Sequence, residues 1–148
     1  MVIKVLNGPN LNFLGIREPN IYGKQTYADL LKAIRAECKK RGIRVSVVQT
    51  NEEGKLVTEI QKCYGKVDGI VINPAAYTHT SVAILDAVKA VGIPTVEVHL
   101  SDVSKREDFR QISYIRQAVE LTVTGKGFDG YLEAIAYLDD KYGKGTKQ

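Results

Sequence analysis

Apolar residues recur along this chain in two alternating rhythms. Short runs near 2–6, 45–48, 69–72, 94–98 and 119–123 have the length and the Val/Ile content of buried strands. Between and after them, apolar positions three and four apart predict helices over about 26–41, 53–64, 80–91, 106–116 and 130–142. Such alternation predicts a parallel sheet covered on both faces. The punctuation agrees: Thr26 can cap the first helix and Gly42 can end it, and Ser104 with Glu107 has capping-box spacing. Gly92 and Pro94 separate the helix over 80–91 from the strand that follows. Tyr131, Ile135, Leu138 and Tyr142 form a stripe that reads as packing alone. With no repeat, linker or low-complexity stretch, residues 1–148 read as a single domain. Its expected class is α/β: a flavodoxin-like three-layer sandwich with a five-stranded parallel sheet.

Composition changes this picture little. With 148 residues, 44% apolar and 26% charged, the chain is an ordinary globular protein long enough to bury a substantial core. The net charge of +4 is modest. Its basic cluster Lys39-Lys40-Arg41 ends a helix, where cations complement the dipole, so no nucleic-acid partner is expected. Cys38 continues the stripe of Tyr27, Leu30, Leu31 and Ile34, and Cys63 falls on that of Leu56, Ile60 and Tyr64, so both read as reduced core residues. No signal peptide or spanning apolar stretch is apparent, which makes a cytoplasmic location the expectation and a membrane partner unexpected.

The chemistry collects at strand ends. The first strand runs into Gly8-Pro9-Asn10-Leu11-Asn12, where Pro and Gly force the chain out of the sheet. The third ends in Asn73-Pro74-Ala75-Ala76 and continues through Tyr77-Thr78-His79-Thr80-Ser81. The fourth, Thr95 to Val98, runs into His99-Leu100-Ser101; the second ends in Gln49-Thr50-Asn51, an ordinary turn. Carboxyl ends of parallel strands are where open α/β sheets bind ligands. Both histidines of the chain lie there. Glu97 and His99 share a strand face, so the carboxylate can orient the ring; the alternative is a pair that only ties two elements together. His79 reads either as a functional group or as a helix-start cap. Thr78, Thr80 and Ser81, and the turn at Leu100-Ser101, offer backbone N–H groups to an anion or simply cap a helix.

Arg17 and Tyr22 lie in a Gly/Pro-punctuated segment of lid-like length. A free phenol is ionised to only about 0.1% at pH 7, and lowering its pKa by roughly 3 units takes about 4 kcal/mol. One or two guanidinium groups in a partly desolvated site supply that order of energy, with Arg110 as a candidate second cation. Gly125-Lys126-Gly127-Phe128-Asp129-Gly130 matches a dinucleotide fingerprint. It has no following strand and no acidic partner about 20 residues on, so backbone crowding explains it better. Metal-ligand spacings such as HExxH or CxxC are absent.

Taken together, these residues resemble the type II 3-dehydroquinate dehydratases (type II dehydroquinases). The resemblance rests on GPNLN at 8–12, Arg17-Glu18-Pro19, Tyr22-Gly23, NPAAYTHTSVAI at 73–84 with Asp86, Glu97 to Ser101, Arg106-Glu107, Phe109-Arg110, Ser113-Tyr114 and GKGFDGY at 125–131. It implies trans (anti) elimination of water from 3-dehydroquinate, through an enolate, to give 3-dehydroshikimate in the shikimate pathway, with no metal, cofactor or Schiff base. It further implies Tyr22 as base, activated by Arg17, with Asn10 holding a water at the enolate oxygen. His99, supported by Glu97, is the implied acid. Asn73, His79, Leu100, Ser101 and Arg110 are the implied substrate-binding residues. Asp86 matches a position that reaches a neighbouring subunit's site, which implies a homo-oligomer, a dodecamer built as a tetramer of trimers. The chain departs from the usual pattern at Leu85, where Arg is common, at Asp102, where Asn is common, and at Thr122 and Thr124 in a strand that is usually more apolar. The competing reading is a non-catalytic binder of small polyhydroxy carboxylic acids, and a flavin or phosphate-signalling domain fits less well.

Overall fold

A parallel sheet in the order β2-β1-β3-β4-β5 forms the middle layer. The computed structural model describes residues 1–16, 20 and 24–143. Its strands are β1 (Val2–Asn7), β2 (Arg44–Gln49), β3 (Gly69–Asn73), β4 (Thr95–His99) and β5 (Leu121–Thr124). The helices are α1 (Tyr27–Arg41), α2 (Glu53–Lys62), α3 (Val82–Val91) and α4 (Asp129–Tyr142). Every strand pairing is parallel. The expected flavodoxin-like sandwich is therefore the observed one.

Period-two alternation sorts the side chains into two cores. Ile3, Val5, Val71, Val96 and Val98 pack with Leu30, Ile34 and Cys38 of α1 and with Tyr131, Ile135 and Leu138 of α4. On the opposite face Leu6, Ile70 and Ile72 meet Leu56 and Ile60 of α2, and Ile84, Leu85 and Val88 of α3. Cys63 packs with them, and both cysteines are buried and free. Tyr64 is 70% exposed, outside the stripe assigned to it, because α2 ends at Lys62. Thr26 forms a reciprocal capping box with Asp29, and Gly42 closes α1 at φ 70°. The basic end of α1 makes ion pairs: Arg41 reaches Glu37 of its own helix and Asp139 of α4.

The helix expected over 106–116 does not form. Residues 103–118 instead hold three short 3₁₀ helices, Val103–Lys105, Asp108–Arg110 and Ile115–Ala118. Its apolar positions fail to share a face, since Phe109 is 66% and Ile112 56% exposed while Ile115 is fully buried. Gln111 Nε2 donates to the carbonyl oxygens of Val103, Arg106 and Glu107, filling acceptors that a continuous helix would use for its own ladder. Ser104 is not the cap it was expected to be: Asp102 Oδ1 accepts from both its N–H and its hydroxyl.

Candidate active site

The order β2-β1-β3 reverses the direction of winding between β1 and β3, which opens a crevice at their carboxyl ends. A cavity of about 260 Å³ lies there. Asn10 from the β1 loop, Asn73 from the end of β3 and His79 from the Ala75–His79 turn contribute to its lining. His99, Leu100 and Ser101 at the end of β4 and Arg110 of the 3₁₀ helix Asp108–Arg110 line it as well. Arg106 lines the cavity too, a cation without an assigned role in the sequence. Glu97 stands behind His99. Arg17 and Tyr22, with Glu18, Pro19 and Gly23, lie outside the described residues. Asp86 is exposed on α3 and is not among the residues lining this cavity, while Leu85 beside it is buried in the core.

The loops at the rim are held by backbone conformations that side chains rarely accept. Asn10 has φ 71° and Ala75 has φ 54°, the two non-glycine residues with positive φ among those described. Asn10 is fixed there by Asn51, whose Oδ1 accepts its N–H at 3.1 Å and that of Gln49 Nε2 at 3.2 Å. Tyr77 closes the same bracket by donating to the Asn51 carbonyl at 2.8 Å. The turn after β2, read as ordinary, thus carries the Asn10 loop. Gly8 has no room for a side chain, since a Cβ would run into the Pro74 carbonyl, and its N–H donates to Asn73 O at 2.8 Å.

Asn73 is held from below. The hydroxyl of fully buried Tyr131 accepts from Asn73 Nδ2 at 3.0 Å and donates to Asn7 Oδ1 at 2.7 Å. Asn73 Oδ1 in turn accepts the Ala75 N–H at 3.0 Å, so both ends of the amide are oriented. Tyr131 therefore does more than pack, contrary to the reading of its stripe, and Tyr142 likewise donates to Glu120. The glycines before Tyr131 serve geometry: Gly125 and Gly127 take φ 75° and 58°, and a Cβ on Gly130 would stand 3.3 Å from Val98 Cγ1.

The electrostatic centre is Glu97, which is completely buried. His99 Nε2 donates to its Oε2 at 2.5 Å. Ser113 and Thr78 hydroxyls reach the same oxygen at 2.7 and 2.8 Å, and Thr122 donates to Oε1 at 3.1 Å. Burial alone would raise this carboxyl, but the His99 bond and charge, with the Ser113 and Thr78 hydroxyls, outweigh it and bring it down to about 2. A fixed negative charge consequently backs the ring, and Nδ1 is the nitrogen left to exchange a proton with a ligand. His79 works differently. Its Nδ1 donates to the Ile112 carbonyl at 2.6 Å, and burial pushes its pKa down, so the neutral ring offers Nε2 as an acceptor. It caps no helix: Ser81 caps α3 by accepting the Ile84 N–H. The Thr80 and Ser81 amides donate to Tyr77 O, and the Thr78 hydroxyl turns to Glu97, so these three groups serve the local structure. Arg110 Nε pairs with Glu107 at 2.5 Å and its guanidinium lies over the Phe109 ring.

Three hydroxyls shape this site in a way the sequence reading did not assign to them: those of Thr78, Ser113 and Thr122 on Glu97. The threonines of β5 were visible as polar intrusions in an apolar strand, but only the register that pairs Glu97 with Thr122 gives one of them a purpose. Among the described residues no cluster of three or more His, Cys, Asp or Glu could hold a metal ion, and no helix is long and apolar enough to cross a membrane.

An imidazole on a buried carboxylate, a second neutral imidazole, oriented amides and guanidinium groups around a small crevice define an acid–base enzyme on a flavodoxin-like sheet. Comparison with known proteins narrows this class. The family model for class II dehydroquinase matches residues 1–139, and the chain belongs to that family. It is 52% identical to the 3-dehydroquinate dehydratase of Clostridium acetobutylicum over 144 residues, covering 97% of this chain and all of that protein. The Fusobacterium nucleatum enzyme of the same name is also 52% identical, over 147 residues, with 97% of this chain and 100% of that protein covered. The crystal structure of type II dehydroquinase from Butyrivibrio crossotus superimposes with a TM-score of 0.93 at 49% identity, over 94% of this chain and 97% of that one.

Proposed function

We infer that this protein dehydrates 3-dehydroquinate to 3-dehydroshikimate by anti elimination through an enolate, as a step of the shikimate pathway. The observation that carries this reading is the buried Glu97–His99 pair opening into a cavity shared with Asn10, Asn73 and His79, in a chain of this family. In the reaction, Tyr22, with its phenol acidified by Arg17, takes the proton beside the ketone. The electron pair moves onto the ketone oxygen as an enolate, next to a water held by Asn10. Collapse of the enolate forms the C=C bond and breaks the C–O bond of the hydroxyl. His99 delivers a proton to that oxygen, so water leaves. Glu97 holds the His99 ring in orientation for this step through the bond to Nε2. Asn73, His79, Leu100, Ser101 and Arg110 hold the carboxylate and hydroxyls, and no metal or cofactor is invoked.

The same reading extends to assembly. Residues 1–148 act as one catalytic domain, in the cytoplasm, within a dodecamer arranged as a tetramer of trimers. Exposed Asp86 then serves a neighbouring subunit's cavity. Leu85, packed inward, contributes to the core rather than to that contact. Light scattering on the purified protein measures the assembly directly, and a monomer would refute it.

The conjugated enone of the product absorbs in the ultraviolet, and its appearance from 3-dehydroquinate is the test. Wild type turns over, while Tyr22→Phe and His99→Ala fold and lose nearly all activity, by at least about 10²-fold for an acid–base group. An active Tyr22→Phe variant would refute the assigned base. A wild-type protein that binds the substrate without forming the enone is the non-catalytic binder instead.

A further inference from the structure

Two hydroxyls crowd one oxygen of Glu97, and a third stands alone on the other. Thr78 and Ser113 both reach Oε2 and lie 2.8 Å from each other. Each has a single proton, so either both donate to the carboxylate or one donates to the other, which then donates to Oε2. Losing one leaves the other in place, and His99 also serves this oxygen. Oε1 is less crowded. Among the described residues its direct hydrogen bond comes from Thr122 at 3.1 Å, and the Arg116 guanidinium stands off at 3.8 Å on a side chain 46% exposed.

Thr122 is well placed to fix the carboxylate. It is the register partner of Glu97 across the parallel β4–β5 pair, so its hydroxyl is carried by two hydrogen-bonded strands. The terminal torsion of a glutamate is broad, and a donor on Oε1 stops rotation about it. Rotation would swing Oε2 off the His99 ring.

We propose that Thr122 is a positioning residue: by donating to Oε1 it locks the Glu97 carboxylate in the plane that presents Oε2 to His99. This rests on His99 as the acid of the proposed reaction. Without the hydroxyl, the Glu97 carboxylate loses its donor on Oε1 and its charge is less well aligned with the His99 ring. His79, Arg106, Arg110 and Arg116 also face this pair, and Thr122→Val leaves all of them in place.

The test is the pH profile of kcat for Thr122→Val, a nearly isosteric change suited to a strand. The alkaline limb, which reports loss of the acid's proton, moves to lower pH by about half to one unit. At a pH on that limb, turnover consequently falls about three- to tenfold. Thr122→Ser, which keeps the hydroxyl, restores the limb. A purely structural role would lower stability in Thr122→Val and leave the limb where it was. If His99→Ala is inactive and Thr122→Val keeps the wild-type limb, the positioning role is wrong and the acid assignment stands. If His99→Ala turns over normally, the acid assignment itself fails.

Discussion

Replacing Tyr131 by Phe removes one oxygen from a fully buried site and disconnects two amides. The ring remains, so its packing in the α1/α4 core survives. Asn7 Oδ1 loses its donor and Asn73 Nδ2 its acceptor. Among the described residues, the Asn7 side chain retains a 3.3 Å bond from its Nδ2 to Tyr27. Each buried polar group left without a partner costs about 1–3 kcal/mol. Partial relaxation of Asn73 toward the cavity trims the total, and about 3 kcal/mol is expected. For a domain of this size each kcal/mol moves Tm by about 2–4 °C, so Tyr131→Phe should melt about 6–12 °C lower. Melting must be compared at one protein concentration, since assembly also stabilises the fold. Loosening of Asn73 also raises KM for the substrate, while kcat changes less because the Glu97–His99 pair is untouched. A variant within about 1 °C of wild type, with unchanged KM, would show that Tyr131 serves only as a packed ring.

Glu97 makes a signed statement about pH. Its folded carboxyl, at about 2, lies below its ordinary 4.5, so its contribution to stability is fully present above the ordinary value and is lost as pH falls through about 2. The difference corresponds to about 3 kcal/mol. Glu97→Gln should therefore flatten the acid side of a urea-unfolding series between pH 5 and about 2, and an unchanged acid limb would contradict it. Gly8→Ala forces a methyl onto the Pro74 carbonyl and should cost about 2–3 kcal/mol in chemical denaturation, with KM raised through the displaced Asn73. Wild-type stability in that variant would mean that the loop yields freely. Burial pushes the Cys38 thiol up to about 11 and raises Cys63 as well, so a thiol-specific chromogenic reagent should find neither cysteine in the native protein and both after unfolding.

What the sequence revealed follows from how local each signal is. Strands β1, β3 and β4 were legible because buried parallel strands are short, continuous apolar runs, and α1 because its cap, stripe and terminal glycine agree. Residues 106–116 misled because apolar spacing there is helical while the burial it normally reports is missing. Glu97 and His99 could be paired in advance because a strand's period of two places them on one face. The cage around Glu97 could not. Thr78, Ser113 and Thr122 come from three different elements, and only tertiary register brings their hydroxyls together. Asn51 and Tyr131 escaped for a related reason, since one looks like any turn residue and the other like any helix-stripe tyrosine until their partners are known.

A crystal structure of the wild-type protein with a cyclic carboxylic acid that mimics the planar enolate tests the central claim most directly. The account predicts that this molecule sits in the crevice beyond β1, β3 and β4, within hydrogen-bond distance of His99 Nδ1 and Asn73, with its enolate-side oxygen toward Asn10. Density for the ligand elsewhere on the protein, or in the crevice with His99 turned away from it, would contradict the account.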